Sequence, residues 1–178
     1  MGNCVSEQTE ERIQTKEVTE ESVASTVSAC SAPCMRLPTP LLNEFVATDH
    51  CVVLSELLTS VADPQKRSLV VINAKTGIAI LSVARISNHQ FSVFTPDGGL
   101  VGTISISRSA KGRIVLELPL KARGSYKAAR EQNGALRLLA NNAEVCSVNS
   151  SDSSVTADSI HRGVDLVIAF VLAAVADL

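Results

Sequence analysis

Aromatic side chains are scarce in this chain of 178 residues, at 3%, with no tryptophan and a single tyrosine. Base-stacking nucleic-acid modules need aromatic faces. The net charge of −2 supplies no global basic field either, so nucleic acid is excluded as a partner. Long apolar runs are also missing: a membrane-spanning helix takes about 20 such residues, and the run Leu166–Ala176 has 11. No basic stretch followed by an apolar one opens the chain, so no secretory signal is expected. The cysteines (Cys4, Cys30, Cys34, Cys51 and Cys146) are odd in number, which predicts a reduced cytosolic setting rather than a disulfide framework. Cys30 and Cys34 have no second Cys or His pair at zinc spacing, so no metal site is expected. G-x-S-x-G, H-E-x-x-H, the P-loop and G-x-G-x-x-G are all absent. His50, His89 and His161 belong to no nucleophile motif. On a strand His50 and its neighbour Cys51 point to opposite faces and form no local dyad, and His89 falls in a turn. The sequence therefore predicts a protein that is not an enzyme, with no catalytic residue and no cofactor.

What is present begins at the first residue. Met-Gly-Asn-Cys-Val-Ser fits the myristoylation pattern M-G-x-x-x-[ST], with Gly2 as acceptor and Ser6 at the hydroxyl position. A myristoyl chain alone anchors only marginally, so a second signal is needed. Residues 1–35 hold six acids (Glu7, Glu10, Glu11, Glu17, Glu20, Glu21) against two bases (Arg12, Lys16), a balance that anionic lipid repels. Palmitoylation of Cys4 is the expected second anchor, with Cys30 and Cys34 as further candidates. This places the chain on the cytoplasmic face of a membrane, plasma membrane or endomembrane. Asn149-Ser150-Ser151 matches the glycosylation sequon but should stay unmodified there.

Hydrophobic residues at 46% and charged residues at 19% support one packed domain with a tail. Residues 1–40 read as the tail: a largely disordered spacer rich in Glu, Thr and Ser, with room for a short helix around Thr9–Glu21, then punctuated by Pro33, Pro38 and Pro40. Residues 41–178 read as the domain. Short apolar runs recur there between turn signals: Cys51–Leu58, Ser68–Asn73, Ile78–Ile86, Phe91–Thr95, Leu100–Ser107, Ile114–Leu118 (stopped by Pro119), Ser125–Ala129, Ala135–Ala140 and Glu144–Val148. Asp63-Pro64, Lys75-Thr76-Gly77, Asn88-His89, Pro96-Asp97-Gly98-Gly99 and Lys111-Gly112 mark turns. In 100–107 the period is two, with Leu100, Gly102, Ile104 and Ile106 on one face, which predicts a half-buried strand. Such spacing predicts an all-β meander, sandwich or barrel. Residues 164–178 break the pattern. They read as a helix apolar on every face, which must be buried on every side; in an all-β domain that place is inside a barrel. Asp165 and Asp177 bracket the buried stretch and are expected at the barrel's mouths.

Several strings resemble the tubby C-terminal-like superfamily, in its phospholipid scramblase and LURP-one-related branch. Ser68–Asn73, Lys75-Thr76-Gly77 and Ile78–Val83 resemble its strand, polar-Gly turn, strand opening. Thr95-Pro96-Asp97-Gly98-Gly99-Leu100-Val101-Gly102-Thr103-Ile104 resembles its P-x-G-x-x-I-G-x-I element. Gly163-Val164-Asp165-Leu166 running into Val167–Leu178 resembles its closing helix. The resemblance covers about residues 48–178. It implies an antiparallel β-barrel, closed or nearly so, around a C-terminal helix, and a domain that binds phosphoinositides or scrambles phospholipids. Scramblases carry an acidic calcium segment before the closing helix. Here that region, 150–158, offers only Asp152 and Asp158 among serines, too few oxygens for a calcium loop. A pleckstrin-homology-like sandwich with a C-terminal helix is the alternative fold, though its helix keeps a solvent face.

One charge feature stands out. Arg108, Lys111, Arg113, Lys121, Arg123, Lys127 and Arg130 fall within 23 residues that hold one acid, Glu117. In a membrane-tethered domain such a face docks on anionic phospholipids or phosphoinositides, at about 1 kcal/mol per base near the surface. The leading expectation is a membrane-anchored lipid-binding module. Phospholipid scrambling and a tethered scaffold for a protein partner are the alternatives.

Overall fold

The computed structural model describes residues 37–178, apart from 64, 66, 67, 109–113, 121–123, 152 and 153. The chain divides into two units, residues 1–34 and 35–178. The expected tail helix and the acylation sites lie outside the described residues.

The second unit is mainly β. After a 3-10 turn at Asn43–Phe45 come β1 (Cys51–Val53), one helical turn α1 (Leu54–Leu57), and β2 (Leu58–Asp63). There follow β3 (Ser68–Asn73), β4 (Ala79–Ser87), β5 (Gln90–Phe94), β6 (Leu100–Arg108) and β7 (Ile114–Leu120). Then come β8 (Gly124–Arg130), β9 (Leu136–Ala140), β10 (Ala143–Ser150), β11 (Val155–Asp158) and the helix α2 (Leu166–Ala176). All eleven strands form one antiparallel sheet in the order β1-β11-β10-β9-β8-β7-β6-β5-β4-β3-β2. The ladder is open between β1 and β2. Ten antiparallel steps separate these edge strands, so both run in the same direction and cannot complete an antiparallel ladder with each other. They are instead consecutive pieces of one run of chain. Residues 51–53 pair with β11, residues 58–63 pair with β3, and only α1 lies between.

Four bulges bend the sheet. Each inserts one extra residue: Ile80 in β4, Ile86 further along β4, Val101 in β6 and Val145 in β10. A bulge kinks its strand and increases the local twist, which lets the sheet curl over α2. The helix is apolar all round and buried from Leu166 to Ala173, and it packs on β2, β7 and β10, strands far apart in the sheet order. Inward residues from most strands meet it in one core: Leu69, Val83, Val93, Ile104, Leu118, Leu138 and Val148 among them.

Three local expectations are corrected. Cys51–Leu58 is not one strand, because α1 interrupts it. Pro119 does not stop β7; it pairs with Ser125, and the strand continues to Leu120. The β6–β7 register lapses opposite it, between Gly102↔Leu120 and Ser105↔Glu117, as fits a residue with no N–H. Gly102 permits this close passage, since a Cβ there would lie 2.7 Å from the Pro119 carbonyl oxygen and 2.9 Å from a Leu118 methyl. Finally, β6 buries Ile104 but exposes Leu100 at 60%. The bulge at Val101 breaks the period of two and turns Leu100 out.

Candidate functional site

The hairpin connections define two ends of the sheet. At one end lie the β3–β4 and β5–β6 turns; at the other lie the β4–β5 turn, the end of β6 and the start of β7. Each end has a cavity.

The larger, about 610 Å³, is a groove between the segment at Leu41–Glu44 and the β3–β4 and β5–β6 turns. Its walls are built locally. Asn73 Oδ1 accepts from the N–H groups of Lys75 (2.9 Å) and Thr76 (3.2 Å), and Gly77 takes φ +70°, a tight turn that leaves Ile78 66% exposed. Across the groove, Thr95 N–H donates to the Gly99 carbonyl (2.8 Å) and Gly98 takes φ +87°. The Thr95 hydroxyl bonds the Asp97 carboxylate and, with Asp97's own N–H, holds its pKa below the usual range. The two bulges on either side of β5 set the floor: Ile80, beside Leu81, and Val101, beside Leu100, aim apolar side chains at the groove. Leu42, Ile78 and Leu100 are exposed on its rim. Glu44 is the one ionisable lining residue.

The Leu41 wall is tied to the core. Leu41 N–H donates to Asp165 Oδ2 at 2.7 Å, while Asp165 Oδ1 accepts from Val167 N–H (3.0 Å) and Ile168 N–H (3.2 Å) as the N-cap of α2. Asp165 is 1% exposed, so it sits beneath the mouth rather than in it. Nearby, the buried Tyr126 hydroxyl is pushed well above the ordinary phenol range, first by burial and then by the charge of Asp165; a backbone contact from Asp165 opposes this. At the far end of α2, Asp177 pairs with Arg130 and accepts from Ser150 Oγ at 3.1 Å.

Three residues of the basic cluster can be described. Arg108 is exposed at the far end of β6. Lys127 pairs with Glu117 across β7–β8 at 3.1 Å, and Arg130 is held by Asp177. Lys111, Arg113, Lys121 and Arg123 lie outside the described residues.

Two thiols can be described. Cys146 is buried and pushed up to about 12, by desolvation and then by the charge of Glu144. Cys51 is exposed and donates to Asp158 Oδ1 at 3.0 Å; that bond, more than any other effect, raises its pKa. His50 Nδ1 lies 3.2 Å from the Ile160 carbonyl oxygen, away from Cys51. Among the described residues no three His, Cys, Asp or Glu side chains gather as metal ligands, and no helix is long and apolar enough to cross a membrane.

The groove escaped the sequence reading because bulges build it. Its one signal was the adjacent apolar pairs Ile80-Leu81 and Leu100-Val101, which break strict alternation. Comparison with family models, curated proteins and solved structures finds no match to this chain.

Proposed function

We propose that this chain is a non-enzymatic lipid-binding module of the tubby and scramblase type, held on the cytoplasmic face of a membrane by acyl chains on Gly2 and Cys4. On this reading the sheet is a nearly closed barrel threaded by α2. The fold reading is supported by the edge strands β1 and β2, two pieces of one short run of chain, and by the burial of α2 on every face. The observation that carries the function is the groove: about 610 Å³, apolar in its floor and rim, and within the usual size of a ligand site. Each methylene that leaves water contributes about 0.8 kcal/mol, so such a groove favours an acyl chain. Glu44 and the neighbouring Asp97 make the mouth acidic. An esterified or amide-linked chain therefore fits better than a free fatty acid, whose carboxylate they repel.

The test uses the full chain expressed with myristate and palmitate analogues, followed by membrane fractionation and flotation. Label on Gly2 and Cys4, with release of the Gly2→Ala protein into the soluble fraction, is the expected result. A Gly2→Ala protein that stays on membranes ends the anchor reading. For the groove, Leu42→Ser, Ile78→Ser and Leu100→Ser together should lower uptake of a fluorescent acyl ester about tenfold or more. Unchanged uptake moves the groove to the second reading it supports, a seat for an apolar segment of a protein partner.

A further inference from the structure

The second cavity, about 460 Å³, lies at the opposite end of the sheet from the groove and is lined by Asn88, His89, Ile106, Ser107, Arg108 and Ile114. The geometry points to this cavity as a binding site for a phosphate monoester. Its apolar floor is Ile106 and Ile114, and each polar side chain among the described lining residues carries a hydrogen-bond donor. Arg108 brings a guanidinium fork, which matches two phosphate oxygens at once. His89 brings a ring N–H and Ser107 a hydroxyl. The orientation of Asn88 is fixed by a neighbour: Arg85 Nη2 donates to Asn88 Oδ1 at 3.1 Å. The Asn88 amide NH₂ is thereby left as a donor. Arg85 itself is anchored, with Nε on the Ser87 carbonyl (3.1 Å) and its guanidinium 5.8 Å from the centre of the Phe91 ring.

Charge selects the ligand. Among the described residues, no carboxylate lines the cavity. Among the described residues, the Arg108 guanidinium and the His89 ring have neither a hydrogen bond nor an ion pair, whereas Lys127, Arg130 and Arg137 each have a carboxylate partner. The backbone holds the two donors in register, because Ile106 N–H donates to the His89 carbonyl at 2.8 Å and His89 N–H donates to Ser87 Oγ at 3.2 Å. The β4–β5 turn and the end of β6 therefore present their side chains to one space. That space exceeds a bare phosphate and leaves room for its ester substituent. The inference is independent of the acyl groove and of the lipid anchor.

The test is a titration of the isotope-labelled full chain followed by NMR. The probes are inorganic phosphate, glycerol 3-phosphate, and phosphatidylcholine vesicles with and without phosphatidylinositol 4-phosphate. The expected result is a saturable shift of the amides of Asn88, His89, Ser107 and Arg108, with Arg108→Gln weakening binding about tenfold and His89→Ala weakening it less. Arg137→Gln, a basic residue of β9 outside the cavity lining, should bind as the parent does. Preference for glycerol 3-phosphate assigns a soluble ester; binding confined to the phosphoinositide vesicles assigns a lipid headgroup. No saturable binding of any phosphate probe overturns the proposal. So does undiminished binding by a folded Arg108→Gln protein, or shifts centred elsewhere.

Discussion

The two ends of α2 solve one problem in different ways. Each carries an aspartate, and each helix end leaves backbone groups without intrahelical partners. Asp165 is buried and accepts from three backbone N–H groups, two of them in the first turn of the helix. There the carboxylate complements the positive end of the helix dipole, so its burial is compensated. Asp177 stands at the negative end, where a carboxylate is disfavoured, and is neutralised by Arg130 near the surface. Chemically alike residues thus do unequal work. The first locks the helix and the Leu41 groove wall into the core; the second tethers a partly exposed end.

The largest expected effect breaks this comparison at its strong end. Asp165→Ala removes the cap and leaves the half-buried Leu41 N–H without its acceptor, a loss of about 3 kcal/mol from both sources, to be read by urea denaturation. Asp165→Asn keeps an acceptor for the helix N–H groups but sets its NH₂ against the Leu41 N–H, and should lose about 2 kcal/mol. Equal losses for the two would mean that the carboxylate charge and its second oxygen, which neither variant keeps, hold that end. Gly102→Ala touches neither helix end and separates their roles from general damage to the sheet. Its Cβ meets the Pro119 carbonyl, so about 2 kcal/mol should be lost with acyl uptake at the groove retained after allowance for unfolded protein.

Asp177→Ala should cost about 0.5 kcal/mol, because the pair with Arg130 is about one-third exposed or more on both sides. The cost should vanish in 1 M salt, where screening acts within about 3 Å; a salt-independent loss above 2 kcal/mol would erase the contrast with Asp165. The remaining effects concern the thiols and appear only with a change of pH or a thiol reagent. The Cys146 pKa is raised from 9.0 to about 12 in the folded chain. The unfolded chain therefore releases that proton first, and stability falls as pH rises from about 9 towards 12. Cys146→Ser should flatten this decline. At pH 8, Asp158→Asn should speed alkylation of Cys51, since the bond that raises its pKa is weakened. An unchanged rate would show that Asp158 does not control that thiol.

Much of the sheet was legible because its signals were local. Ser68–Asn73 is a continuous β-branched run between turn residues, and β3 has those same bounds. The 11 apolar residues of Leu166–Ala176 announced a buried helix, and α2 spans them. The missed pieces lack local signals. α1 is a single turn, too short for a helical period, and β11 is short and follows a serine-rich stretch that reads as loop. Within the basic cluster, Lys127 pairs with Glu117 and Arg130 with Asp177, and the second of these contacts joins residues far apart in the chain.

The sequence alone determined the element types, a helix that must be buried, and the turn chemistry at Asn73–Gly77 and Thr95–Gly99. Those depend on side-chain polarity, period and φ, which residues carry with them. Only the tertiary structure decided that one run of chain supplies both sheet edges, that bulges open a groove at Ile80 and Val101, and that Asn88, His89 and Arg108 share a cavity. Each of these depends on strand register, and register is set by the packing of distant side chains against one another around α2.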